Sequence, residues 1–410
     1  MKSKALVVVM AIMMTAGFAV SASAAEVVVG ALNDMTGATS DVGKDYALGI
    51  AEAFNYCNDN GGVNGKKIKL LQFDYGYRVP EALTKYKLFR RMGAVAVQGW
   101  GTGDTEALAP TVTQDKMPYV SASYSGHLAN PAKTPYNLFA ATDYSSNARA
   151  TLTAWFDTRW PKHADFGKRK PRMACSYMFA SPYASAPIKA IKDQATLLGF
   201  DIGPDQDVSL FAVDAKSQVL SLKDFKPDVL WHGNTTMSVS ATMRDAYALG
   251  LGADHIINLW GFDENLPRLA DKAAEGAMAA TVNAFYGEAG IPMMPTVVEY
   301  AKKFNPGVPQ EKRLSRTVQG WSNVLALWEA MKRADKAGAL TGESILKQGF
   351  HTMKDFDLGL GGAKLTYTET DHRVSGQVPV YEYKGGKFQR VAVVDLKGRW
   401  PDKWQSWLGW

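Results

Sequence analysis

The chain has 410 residues, 46 Lys and Arg against 40 Asp and Glu, a formal net charge of +6, 46% hydrophobic residues, six histidines and two cysteines. That length exceeds what one ordinary core supports, and the composition is that of a globular protein, so two domains of similar size are expected and a disordered or fibrous chain is excluded. The charge is too mild for a polyanion binder: its densest cluster, Lys168-Arg169-Lys170 with Arg172, precedes a predicted strand and reads as a solvated loop, with no nucleic-acid partner.

Met1-Lys2-Ser3-Lys4 is basic, Ala5 to Val20 is an uncharged apolar run, and Ala22-Ser23-Ala24 supplies small residues for cleavage. Residues 1–24 therefore read as a secretory signal peptide, whose removal takes two lysines and lowers the net charge to +4. No later run reaches the roughly twenty apolar residues of a membrane-crossing helix, so an exported, soluble mature chain beginning near Ala25 is expected. Cys57 and Cys175 sit among apolar neighbours on a predicted helix and strand, which favours buried thiols over a disulfide. The dispersed histidines form no His-x-x-x-His pair, and no Cys-x-x-Cys pair occurs, so neither a metal nor another cofactor is expected.

Glu26 to Leu32 predicts a strand ending at the polar turn Asn33 to Gly37, followed by a helix with Ala47, Ile50, Ala51 and Phe54 on one face and stopped by Gly61-Gly62. Ile68 to Phe73 reads as a strand, Glu81 to Met92 as a helix, Ala94 to Val97 as a buried strand, and Pro118 to Ser121 as another strand. Between the last two, the glycine-rich Gln98-Gly99-Trp100-Gly101-Thr102-Gly103-Asp104-Thr105 opens a helix carrying Leu108, Ala109 and Val112. The same grammar restarts with a helix over Asn147 to Trp160, a strand over Arg172 to Tyr177, and a helix through Ile188, Ile191, Ala195 and Leu198 stopped by Gly199. Asp228 to His232, Met237 to Leu249 and Ile256 to Leu259 give strand, helix and strand. The alternation predicts an α/β fold of two lobes, each built on a parallel sheet.

Later, Val318, Trp321, Leu325 and Trp328 mark an amphipathic helix, Val378 to Tyr383 and Phe388 to Val394 flank Gly385-Gly386 as a β-hairpin, and Trp400, Trp404 and Trp407 recur at helix spacing. These pieces complete the two lobes, so the chain crosses between them more than once.

The Gly99 loop is the first place to look for a site, because open α/β sheets bind ligands beyond strand ends. It lacks the Gly-Lys-Ser/Thr of a phosphate loop and the spacing of a dinucleotide fingerprint. What it offers is free backbone N–H groups at a helix start, the Thr102 and Thr105 hydroxyls, and Trp100 as an apolar wall. Taken by itself, it reads as a plain tight turn.

The order of Asn33 to Gly37, Asn58 to Ile68 with its Gly-Gly-Val-Asn-Gly-Lys turn, the Gly99 loop, Pro118 to Ser125, Ser181-Pro182-Tyr183 and Ala273-Ala274-Glu275-Gly276 resembles the type I periplasmic solute-binding proteins. The resemblance is to the leucine/isoleucine/valine-binding branch of ABC importers and covers essentially the whole mature chain. It implies two Rossmann-like lobes joined by three crossing segments and closing on a small solute. It also implies a periplasmic location, a membrane permease as partner, no catalysis, and a monomer that is not itself membrane-embedded. Lobe 1 is expected over residues 25–143 plus 278–355, and lobe 2 over 144–277 plus 356–410.

Carried over by position, the first-lobe carboxylate grip falls on Gly103, Asp104 and Thr105 and on Ser123, Tyr124 and Ser125. Gly103 stands where the family commonly has a serine. The second-lobe wall falls on Tyr183, on Thr235 and Thr236, and on Trp260. Amino-acid binders of the family place an acidic residue near the position of Trp260 to pair the ligand's ammonium, and here Asp263 and Glu264 lie slightly beyond it. An ammonium left without a carboxylate in a closed cleft is costly. With Trp100, Tyr124 and Tyr183, Trp260 points to an aromatic cleft suited to an aromatic or apolar carboxylate or another small organic solute; each ring also reads as lobe core.

Two rivals remain. An exported hydrolase lacks support, since Ser125 has no Gly-x-Ser-x-Gly elbow and no paired-carboxylate motif stands out. A sensor of the same fold, passing its ligand state to a receptor, is separated from an importer component by measuring solute uptake against transcriptional response after deletion.

Overall fold

The computed structural model describes residues 26–410, so the segment read as a signal peptide lies outside the described residues. β1 (Val27–Asn33) is buried along almost its whole length, as a strand central to a parallel sheet must be. It leads into a turn shaped by Asp34, whose carboxylate accepts the Gly37 N–H at 2.6 Å, the Thr39 N–H at 2.8 Å and the Thr39 hydroxyl at 2.8 Å. α1 (Ser40–Asp59) follows. Gly61 and Gly62 then take φ of 90° and 57°, the left-handed conformation that ends a helix cheaply only at glycine.

β2 (Ile68–Asp74), α2 (Val79–Arg91), β3 (Ala96–Gln98), α3 (Thr102–Gln114), β4 (Tyr119–Val120) and β5 (Asn137–Leu138) complete the first sheet. Its order is β2-β1-β3-β4-β5 with every pairing parallel. The second lobe begins with α4 (Tyr144–Thr158), β6 (Arg172–Tyr177), α5 (Ile188–Leu197), β7 (Asp201–Ile202) and β8 (Gln206–Asp207). It continues with β9 (Val229–His232), α6 (Thr236–Ala248), β10 (Asp254–Ile257) and β11 (Met278–Ala280). The expected strand end at Leu259 falls two residues early. Asn258 turns its side chain to accept the Leu259 N–H at 2.9 Å and starts a 3₁₀ turn over Leu259–Gly261.

After β11 the chain returns to the first lobe as α7 (Met294–Phe304) and α8 (Ser315–Lys336), which pack on α1. The antiparallel hairpin of β12 (Gln377–Lys384) and β13 (Lys387–Asp395) then closes the second sheet, ordered β13-β12-β11-β10-β9-β6-β7 with β8 beside β6. Three segments thus cross between the lobes: after β5, after β11 and before β12. The crossing expected before Met278 comes after Ala280, because the short Met-Ala-Ala run pairs with β10 and β12. The return expected at residue 356 comes just before β12. The Tyr367 hydroxyl donates to Phe139 O at 2.9 Å and the His372 N–H to Ala129 O at 3.2 Å, holding residues 356–372 on the first lobe.

Both cysteines are buried and free. The tryptophan stripe forms one short helix, Pro401–Trp404, and a 3₁₀ turn, Gln405–Trp407. Its rings pack under arginines, with Arg373 3.7 Å above Trp404 and Arg399 4.7 Å above Trp400. No helix among the described residues is long and apolar enough to cross a membrane.

The first lobe depends on α1 and α8 meeting at backbone distance. A Cβ on Gly49 would stand 2.3 Å from Thr317 O, and one on Gly320 would stand 2.7 Å from Tyr46 O. Gly49→Val is therefore expected to cost about 2 kcal/mol or more by overpacking. Gly307→Ala, whose Cβ would meet nothing within 4 Å, should change stability by less than about 0.5 kcal/mol. Urea unfolding of the two variants checks the contrast.

Candidate ligand-binding cleft

The cleft is built where β-strand ends of the two lobes face each other. On the first lobe, β3 hands over to Gly99, where a Cβ would collide with the Tyr119 ring, and then to Trp100. The Trp100 indole Nε1 donates to the Thr39 hydroxyl at 2.9 Å, which fixes its ring against the turn before α1. α3 starts just beyond, capped by Gly101 in extended conformation. Thr39, Val42, Tyr77, Trp100, Gly101, Thr102 and Ala122 form this wall. Tyr77 is held at φ 58°, a strained state for a bulky residue that persists only where surrounding structure enforces it.

The opposite wall is Tyr144, Tyr183, Thr235 and Trp260. Tyr183 sits on a short helix, Pro182–Ser185, and donates from its hydroxyl to Asn234 O at 3.3 Å. Trp260 rides on the 3₁₀ turn after β10 and donates from Nε1 to the Tyr144 hydroxyl at 2.7 Å. The lobes meet there: the Trp100 and Trp260 rings lie edge to face with centroids 4.9 Å apart, and Tyr46 lies 4.8 Å from Trp100. The free space between these walls is about 20 Å³, little more than one water molecule occupies.

Five of the residues singled out in the sequence therefore line the cleft: Trp100, Thr102, Tyr183, Thr235 and Trp260. The others lie in or behind its walls. Asp104 turns inward and accepts the Tyr75 hydroxyl at 2.7 Å; burial pushes its carboxyl up to about 7. Thr105 donates to Gly101 O at 2.5 Å, and Ser123 shares a hydrogen bond with the Thr102 hydroxyl at 2.7 Å. Gly103 faces Pro182 of the second lobe, 3.6 Å from where a Cβ would sit. The Tyr124 ring stacks behind Trp260 at 6.0 Å, Ser125 is fully buried, and the Thr236 hydroxyl donates to Asp263 at 2.8 Å.

Sequence reasoning missed Thr39, Val42, Tyr77, Tyr144 and Ala122 as wall residues. Thr39 and Val42 follow the end of β1 as Trp100 follows β3, so the strand-end rule applied to every strand of the sheet points to them.

Among the described residues no charged side chain belongs to the cleft lining, and the Asp41 carboxylate stands just behind it beside Thr235. Asp263 is committed to Arg316 at 3.1 Å, and Glu264 accepts the Ser315 N–H at 2.9 Å and the Tyr286 N–H at 3.0 Å. What the walls present is hydroxyl groups and aromatic faces, an arrangement that can hold an apolar body and hydrogen-bond a polar end. Among the described residues no cluster of His, Cys, Asp and Glu could hold a metal ion.

The periplasmic binding protein family model matches residues 26–387. A substrate-binding protein of an ABC transporter from Aeropyrum pernix shares 31% identity, 91% of this chain and 96% of that one being covered, with a TM-score of 0.81. A branched-chain amino acid ABC transporter protein from Thermus thermophilus with bound valine shares 22% identity over 90% of this chain and 96% of that one, TM-score 0.81. An ABC transporter solute-binding protein from R. palustris in complex with benzoate shares 17% over 90% and 96%, TM-score 0.73. No curated protein matches the chain.

Asp41 lies at the lobe junction, where its carboxylate accepts the Met237 N–H of α6 at 3.3 Å. Burial raises its pKa from 3.8 to about 6, and the Met237 N–H offsets part of that rise. A raised carboxyl favours the folded, closed form below the ordinary value and loses that advantage as pH climbs through the raised one. Asp41→Asn is therefore expected to stabilise the protein by about 1 kcal/mol at neutral pH. The gain should disappear below about pH 4, as followed by unfolding midpoints across that range.

Proposed function

The chain belongs to the periplasmic binding protein family, the substrate-binding components of ABC transporters, and from that premise we propose that it captures a small carboxylate with an aromatic or apolar body and delivers it to a membrane permease. The observation that carries this reading is the make-up of the cleft lining: two opposed indoles, three tyrosines, hydroxyl donors and, among the described residues, no carboxylate. An ammonium closed into that space has no counter-ion, and a buried unpaired charge costs more than hydrogen bonds to hydroxyls return. A carboxylate instead finds Thr102 at the start of α3 and the Thr235 hydroxyl on the facing wall.

Single-ring and short-chain acids both belong to this class. The fold does not select among these, since the similar structures from Thermus thermophilus and R. palustris hold valine and benzoate respectively. The ligand touches both walls only when the lobes close, so its binding energy biases the open–closed equilibrium toward the closed form. We place the mature protein in the periplasm as a monomer, after cleavage near Ala24.

Titration calorimetry with benzoate and with leucine tests the reading. Benzoate or a related aromatic acid is expected to bind and leucine to bind at least about a hundredfold more weakly, the price of an unpaired ammonium. Tight leucine binding with no response to aromatic or aliphatic acids overturns it. Trp260→Ala is expected to weaken the acid by about 1–2 kcal/mol through loss of an aromatic wall.

A further inference from the structure

A second cavity of about 440 Å³ lies between α4, α5 and the segment after Pro401, and it shares no lining residue with the interlobe cleft. On its wall is Arg149, in the middle of α4 and only 1% exposed. Among the described residues none of its three guanidinium nitrogens has a partner at close hydrogen-bond distance, and its one ion pair, with Asp193, is long. The nearest carboxylate, Asp193, is 3.7 Å from Nη2, and that carboxylate is already held by Lys189 at 2.6 Å. Asp143, the other nearby acid, accepts from the Ser146 N–H at 2.9 Å and the Ser146 hydroxyl at 2.6 Å. Arg373 adds a second positive charge from behind, its own donors spent on Asp371 and Trp404 O.

A buried guanidinium carries five N–H donors, and leaving them unpaired is among the costlier arrangements in a folded protein. Here the same residue lines a cavity whose rim adds Lys189 and Lys403 beside the Asp193 carboxylate. Trp407 stacks 4.2 Å from the guanidinium, and Trp410 lines the same cavity, so the site has flat apolar surface beside its charge. An arginine fixed in this way is pre-organised for forked hydrogen bonds to two oxygens of one anion.

We propose that this cavity is a second ligand site, separate from the transport cleft, that takes a small oxyanion on Arg149 with Lys189 and Lys403 at its mouth. The shared chemistry is a pair of anionic oxygens, supplied by inorganic phosphate or by an organic carboxylate whose body lies on Trp407 and Trp410.

Titration calorimetry of the mature protein with inorganic phosphate and, separately, with benzoate distinguishes the two sources. At least one is expected to give a binding event that weakens by about tenfold or more in Arg149→Met, which removes charge-assisted hydrogen bonds. The same event should weaken in the surface double variant Lys189→Gln with Lys403→Gln, which leaves the packed core of α4 intact. A benzoate event that is lost in Trp260→Ala and kept in both of these variants belongs to the interlobe cleft and reports on the transport reading alone. The proposal is overturned if neither probe binds the wild type at millimolar concentration outside the cleft, or if both variants bind as the wild type does.

Discussion

The arrangement on which both hinge and cleft depend is the buried guanidinium of Arg316, at the start of α8. It reaches out of the first lobe to the turn after β10, donating to Leu259 O at 2.8 Å, Phe262 O at 3.2 Å and the Asp263 carboxylate at 3.1 Å. The same group lies 5.0 Å from the Trp260 ring. One side chain thus ties the first lobe to the second, lies against the indole that forms the cleft wall, and occupies the Asp263 carboxylate. Removing either partner of such a buried pair leaves an uncompensated charge, so the pair fixes the geometry even where its net contribution to stability is small. The neutrality of the cleft is a consequence of that commitment.

A parallel arrangement steadies the first lobe. Arg313 forms a bidentate pair with Glu52 at 2.8 and 3.0 Å, and Asp45 accepts the N–H groups of Leu314 and Thr317, both at 3.0 Å. These polar contacts cluster around the start of α8, where the glycines at positions 49 and 320 also let its first two turns lie directly on α1. The start of the helix is therefore fixed in both register and depth against α1.

Much of this was legible in the sequence, for physical reasons that also explain the gaps. Long strands with apolar runs, helices with one buried face and glycine stops at 61, 62 and 199 follow from local chemistry. The two-residue strands at Asn137–Leu138 and Gln206–Asp207 have no periodicity to read, and the alanine-rich Met278–Ala280 pairs only because its neighbours are already in place. In the site, Trp100 is legible because it follows a strand end, and Trp260 because the family resemblance carries a ligand-facing position onto it. Asp104, Thr105 and Ser123 were expected to grip ligand and instead bond within the first lobe, since spacing along a helix start does not say which way a short side chain turns. Tyr144 escaped notice because it opens the helix after a crossing segment, a position defined only by how the lobes meet.

The meeting of Trp100 and Trp260 has a further consequence. Two indoles contributed by different lobes, with centroids 4.9 Å apart and planes inclined at 65°, couple their electronic transitions when the lobes are together and lose that coupling when they part. Hinge motion in this protein is therefore written into its own near-ultraviolet circular dichroism. The chain carries an intrinsic optical reporter of its conformational state, with no attached dye.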